Sequence, residues 1–254
     1  MTVPAYNITT NVAEFRRGLT RVQRDQLPYA TFLAVNETAV AAVQHNQRAM
    51  ARLLDRPKPF TVRGLYPRKG KYRRGNRSAG LGVATAEASL MWRAFAAGGT
   101  AAGRYLQPQV FGRPRGPKRH ETLLRNRGLL GPGQYLVPAP GQRLNQYGNL
   151  PKATYVRLLS AVSASTDPGQ NRTTRSAGRN TRRRDFFVPK RGGKLSNGVW
   201  ERKASGQIKP VLIEVRQPQY RRRYDFFGLS ENFVRQQLPI SMRAAMARAI
   251  RTAR

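Results

Sequence analysis

The 254-residue sequence has no cysteine, two histidines and only 12 acidic residues. Without cysteine there is no disulfide framework, no thiolate metal site and no cysteine nucleophile. His45 and His120 stand alone, and neither has a histidine four residues away, so zinc held on one helix face is excluded. For both we expect surface or interface roles. No run of 18 apolar residues occurs, so no membrane-spanning helix is expected. Met1 to Thr10 lacks a basic segment followed by an apolar one, and no export signal is read there.

Against this scarcity stand 47 Lys and Arg residues, giving a formal net charge of +35. The basic residues run through the whole chain, so a free monomer would repel itself and seek a polyanion or an acidic protein surface. The bias towards arginine suits bidentate contacts to phosphate or carboxylate. Only 39% of residues are hydrophobic, with 23 glycines and 17 prolines, so much of the chain must be loop or surface.

At the N-terminus, Asn11 with Glu14 resembles a capping box, and Phe15, Leu19 and Val22 fall on one helical face. Leu27-Pro28 predicts a break, with Pro28 opening a second helix that runs to about Leu54 and is ended by Pro57 and Pro59. From Phe60 to about Arg184 turn dipeptides crowd among arginines; helices are predicted near Glu121 to Arg127 and Lys152 to Val162, and a shorter one around Ala86 to Ala96.

After Arg184 the pattern predicts strands at Phe186 to Val188, Val199 to Arg202 and Ile208 to Arg216, the last two joined as a hairpin through Ala204-Ser205-Gly206. Pro210 predicts an edge strand or a late start. Val211, Ile213 and Val215 make the expected apolar face of that strand. An amphipathic helix is predicted from Leu229 to Ala253. Its Arg235-Gln236-Gln237-Leu238-Pro239 echoes Arg24-Asp25-Gln26-Leu27-Pro28, which fits either coincidence or two antiparallel helical units of one design.

The expected fold is α+β: N-terminal and C-terminal helices packed on a small antiparallel sheet, with a long basic, loop-rich insertion. The expected division is 1–59 as the N-terminal helical part of the core, 60–184 as the insertion, and 185–254 as the strands and helix that complete the core.

Catalytic equipment is thin. Asp185 with Glu201-Arg202-Lys203 has the residue types by which one class of nucleases holds a divalent metal, but no strongly helical segment precedes it. Gly192-Gly193-Lys194 lacks the earlier glycine of a phosphate-binding loop and reads as a turn. No catalytic, metal or cofactor-binding residue is assigned, no cofactor is expected, and the chain is read as non-enzymatic.

The candidate interface or DNA-facing residues are the basic runs: Arg68, Lys69, Lys71, Arg73 and Arg74; Arg113, Arg115, Lys118 and Arg119; Arg182, Arg183 and Arg184; and Arg221, Arg222 and Arg223. Tyr66, Tyr72, Phe111, Tyr220 and Tyr224 interleave with them. Such mixing serves nucleic acid through stacking and phosphate contact, or protein interfaces through arginine-aromatic packing.

Phe15-Arg16-Arg17-Gly18-Leu19, Leu27-Pro28-Tyr29-Ala30 and the alanine-rich helix resemble the opening of the minor tail protein Z group, the tail-completion proteins of lambda-like phages. The end is similar too, in Lys209 to Ile213, Phe226-Phe227 and Leu238-Pro239. Arg119 to Leu124, Gly128 to Gly133, Tyr147-Gly148-Asn149 and Gly198 to Arg202 resemble longer proteins encoded among phage head-tail genes. The chain departs from the shorter members by its basic insertion.

The resemblance implies a structural virion protein of a tailed bacteriophage, at the neck or upper tail, in a ring around the DNA path. Its implied partners are copies of itself, other neck, portal, adaptor or tail proteins, and the packaged DNA, with no membrane; it would be assembled in the host cytoplasm. The other function expected of such a charge is a ribosomal-type or packaging protein that binds nucleic acid outside a virion.

Overall fold

The computed structural model describes residues 6–8, 21–71, 87–94, 99–173 and 185–252. The architecture is α+β, with helices and two antiparallel sheets. The chain divides into two compact units: Met1–Arg113 with Arg221–Arg254, and Pro114–Tyr220. This differs from the division expected at residues 59/60 and 184/185. The reason is strand pairing: the strand at Ile208–Arg216 takes Gln134–Pro138 as its neighbour, which draws residues 185–216 into the inserted unit.

In the first unit, α1 (Arg21–Leu53) and α7 (Phe226–Arg251) pack along each other. They run antiparallel, because Asn46 meets Ser230 at one end while Glu37 meets Arg248 towards the other. Small residues set this contact: Ala30, Ala34, Ala245 and Ala249 are buried together, flanked by Leu33, Met242 and Met246. Alanine has the highest helix propensity and lets two backbones approach.

Pro28 does not end a helix as expected, and lies inside α1. Pro239 is likewise inside α7. Each proline removes one i to i−4 hydrogen bond, and burial on the shared helical face holds the chain helical regardless: Leu27, Ala30 and Thr31 are all buried around Pro28. The predicted cap at Asn11 and the face of Phe15 and Leu19 lie outside the described residues.

A three-stranded antiparallel sheet lies against α1, with β3 (Ala88–Trp92) between β1 (Tyr6–Ile8) and β2 (Leu65–Arg68). Part of the stretch predicted as a short helix, Ala86 to Ala96, is therefore the central strand. Ala88 and Leu90 alternate inward with period two and are buried, which a helix would not do. Three short helices, α2 (Pro59–Arg63), α3 (Ala102–Tyr105) and α4 (Gln107–Phe111), complete this unit. Its core joins Val35, Val43 and Met50 of α1 to Leu65, Leu90, Val110, Tyr224 and Phe226.

The second unit carries a four-stranded antiparallel sheet in the order β4 (Gln134–Pro138), β7 (Ile208–Arg216), β6 (Gly198–Arg202), β5 (Asp185–Phe187). Helices α5 (Arg119–Asn126) and α6 (Lys152–Ala161) fall where they are expected. The three predicted strands and the β6–β7 hairpin are present, the turn closed by Gly206 N–H donating to the Lys203 carbonyl at 2.9 Å.

Pro210 does not make β7 an edge strand. It lies beyond the stretch paired with β4, which covers residues 212–216, so its missing N–H costs no bond on that side. The apolar face of β7 also differs from expectation. Leu212 joins Leu136, Val199 and Phe186 in the core, and a bulge opposite Val199 and Trp200 brings in Val211.

Candidate interaction surface

Two buried polar networks fix the elements that carry the candidate basic residues. In the first unit the Tyr224 hydroxyl donates to Asn46 Oδ1 at 2.7 Å, and Asn46 Nδ2 donates to Ser230 Oγ and the Ala42 carbonyl, each at 3.0 Å. Tyr224 is wholly buried, and burial pushes its phenol far up, so it stays a neutral donor. Tyr224 is expected among the rings interleaved with exposed arginines; it is instead a core residue that locks the start of α7 onto α1.

Immediately before it, the backbone N–H groups of Arg223 and Tyr224 both donate to the Gln109 carbonyl, at 2.9 and 3.1 Å. This ties the 221–223 run to α4. Arg221, Arg222 and Arg223 are exposed, and Arg222 pairs with Asp225, whose carboxylate also accepts the Gly228 N–H at the start of α7. At the end of α4, Arg113 is exposed with its guanidinium 5.2 Å from the Phe111 ring centre, and Phe111 packs on Phe227.

The second network overturns one expected site. Arg115 is not at a surface: it lies 8% exposed in a bidentate pair with the fully buried Glu121, at 2.6 and 2.7 Å. Glu121 also accepts the Lys118 N–H at 2.6 Å and the Leu136 N–H at 2.8 Å. Burial raises the Glu121 carboxyl, but the Arg115 and backbone bonds outweigh it and hold the group below the usual carboxylate range. Arg115 and Arg125 both lie over the Tyr135 ring, at 4.8 and 4.9 Å. A charge run gives no hint that a carboxylate six residues on will claim one of its members.

The remaining candidates are scattered. Lys118 and Arg119 are exposed at the start of α5, with Arg119 reaching Thr166 at 3.3 Å. Arg68 at the end of β2 and Lys69 and Lys71 just after it are exposed, and Gly70 N–H donates to Asn36 Oδ1 at 2.8 Å between them. Arg73, Arg74, Arg182, Arg183 and Arg184, with Tyr72, lie outside the described residues. The structure therefore gathers Arg113 with Arg221, Arg222 and Arg223, and does not bring the other described candidates to them within the first unit.

Three residues on that face carried no sequence signal of their own. Phe60 and Tyr105 meet edge to face at 6.2 Å, the Tyr105 hydroxyl bonds the Thr61 hydroxyl at 2.9 Å, and Lys58 lies over the Phe60 ring at 5.8 Å. Their separation in sequence hid them.

The two histidines are packed rings. His45 stacks on Phe233 at 4.5 Å, and burial, then Arg48 and Arg52, lower its pKa. His120 lies 4.5 Å from Tyr155, and burial takes it down to about 4, against the pull of Glu121. The nuclease-like constellation does not assemble in register: position 185 pairs with Arg202 and Phe186 with Glu201, so positions 185 and 201 fall on opposite faces of the sheet. Gly192-Gly193 forms a turn, with Gly193 N–H donating to the Lys190 carbonyl at 3.2 Å. Among the described residues no group of three or more histidines and carboxylates is placed to hold a metal ion, and no helix is long and apolar enough to cross a membrane.

No family model, curated protein or solved structure matches the chain.

Proposed function

We propose that the chain is a non-enzymatic structural subunit of a tailed bacteriophage particle, placed at the neck or upper tail in a ring around the DNA path. The observation that carries this reading is the meeting of the two chain ends. Leu27-Pro28-Tyr29-Ala30 and Leu238-Pro239, which carry the likeness to tail-completion proteins, lie on the antiparallel helices α1 and α7 of one helix-on-sheet unit.

Charge supports a role among partners. Glu37, Asp55, Glu121, Glu214, Asp225 and Glu231 are already engaged by arginines of the same chain, so the excess of +35 must be met from outside. Exposed apolar side chains on the helices, such as Ile240 and Val156, offer contact to neighbouring protein.

The test is composition and assembly. Mass spectrometry of gradient-purified particles is expected to find the chain in multiple copies, and disruption of its gene to leave unjoined heads and tails. Absence from particles, together with monomeric binding to nucleic acid in host extracts, would overturn the proposal in favour of a nucleic-acid-binding protein acting outside the virion.

A further inference from the structure

We infer that the face of the first unit built by the end of α1, the short helices α2 to α4 and the start of α7 is a binding surface for the phosphate backbone of duplex DNA. This deepens the particle reading, on which it rests for the source of the DNA.

Three separate stretches of chain converge there. Helix α4 is tied to the segment before α7 by the two bonds to the Gln109 carbonyl. The end of α1 leads through residues 54–58 directly into α2. α2 joins through the Phe60–Tyr105 and Thr61–Tyr105 contacts. Segments 52–58, 104–113 and 221–225 hold eight basic residues and two acidic ones.

Both acids are already matched: Asp55 by Arg56 and Asp225 by Arg222. Arg113, Arg221 and Arg223 are exposed, and among the described residues no carboxylate pairs with them. Three exposed arginines on segments that folding ties together, with the local acids spent, suit an anion with several closely spaced charges. Duplex DNA, with one charge per about 1.7 Å of axis, supplies it.

The aromatic rings decide between backbone contact and base stacking. Phe60, Tyr105 and Phe111 are 43%, 39% and 38% exposed, which would suit stacked bases. Yet Arg113 lies over Phe111 and Lys58 over Phe60, so those rings act as platforms for cations. The platforms hold the cations for phosphate contact, and that favours a sequence-independent duplex over a single strand.

The test uses the full chain and a fluorescent 30-base-pair duplex, with anisotropy read across a salt series. The triple variant Arg113→Gln, Arg221→Gln, Arg223→Gln is compared with Arg127→Gln, Lys152→Gln, Arg157→Gln, which removes the same charge from exposed positions of the second unit. Circular dichroism melts check that both remain folded. The first variant is expected to bind about tenfold or more weakly near 0.1 M salt and to lose about 2 to 3 from the slope of log K against log salt, as three phosphate contacts require; the second should lose much less.

Equal losses in the two variants, or no duplex binding by the parent chain, would overturn the inference. So would displacement of the duplex by a single strand of the same length at a tenfold lower concentration. Particle composition separates this from the proposed function: a chain found in particles that fails these binding tests leaves the structural role standing.

Discussion

Arg115 and Glu121 face each other as two parallel hydrogen bonds, with the carboxylate fully buried and two backbone N–H groups, those of Lys118 and Leu136, completing its shell. One carboxylate thus joins the segment before α5, the N-terminus of α5 and strand β4. Removing one partner of such a pair leaves an uncompensated buried charge, at a cost of about 3 to 5 kcal/mol. Arg115→Met is therefore expected to destabilise the second unit by that order. Trp200 lies in this unit and Trp92 in the first, so denaturant unfolding followed by fluorescence in a Trp92→Phe background reads it. Duplex affinity of the folded protein should stay close to the parent value, because Arg115 is internal.

His120 gives the same unit a pH dependence in a separate window. Burial lowers its folded pKa to about 4 from an ordinary 6.5, and its Nε2 is buried with no hydrogen-bond partner among the described residues. Below pH 6.5 the unfolded chain takes up a proton that the folded chain refuses until about pH 4, so stability falls as the pH drops through that interval. The loss approaches about 3 kcal/mol at the low end. Glu121 acts lower: its folded pKa is depressed, so its contribution is present above the ordinary carboxylate value and lost only as pH falls through the folded one. His120→Phe keeps a ring against Tyr155 and should flatten the stability profile between pH 6.5 and 4 while leaving the acid limb. An unchanged profile would show that His120 titrates normally.

The elements legible in the sequence are those whose signal is local. Helices α5 and α6 lie in stretches free of the surrounding turn dipeptides, and the β6–β7 hairpin shows itself through β-branched runs and a Gly-bearing turn, all within ten or so residues. What failed was long-range. Ala88 to Trp92 looks helical by composition, and only its pairing with Tyr6 to Ile8 and with Leu65 to Arg68 makes it a central strand. Pro28 reads as a boundary until the burial of its neighbours against α7 is seen. The candidate surface was half visible for the same reason: Arg113 and Arg221 to Arg223 stand out as runs, whereas Lys58, Phe60 and Tyr105 join them only through contacts between α2 and α3.

The α1–α7 contact should be intolerant of volume. Ala34 and Ala245 are fully buried in a cluster of small side chains, so Ala34→Leu places three extra carbons where two helices touch. Overpacking of this kind costs about 1 to 3 kcal/mol. Tyr224→Phe probes the other end of the pair, stripping Asn46 Oδ1 of its buried donor at a cost of about 1 to 3 kcal/mol. Both losses belong to the first unit, so they should appear in Trp92 fluorescence with Trp200 replaced by Phe. A shift carried by Trp200 alone would contradict the division of the chain into these two units.

Gly198 opens β6 at a backbone φ of +146°, a conformation that side-chain-bearing residues rarely adopt. A Cβ built there would lie 2.1 Å from the Leu212 carbonyl oxygen and 3.1 Å from Ile213 Cα, both backbone atoms of the central strand. Relief by moving a side chain is therefore unavailable, and the strands must separate or β6 must slip. A one-residue slip would turn Val199 out of the core it shares with Leu212 and Leu136. Gly198→Ala is expected to cost more than the ordinary 1 kcal/mol or so of a glycine replacement and to loosen the β6–β7 ladder first. Amide hydrogen exchange distinguishes this from general destabilisation. Protection should collapse at Val199, Trp200 and residues 211–213 while α1 and α7 keep theirs, and uniform loss through both units would refute a local clash.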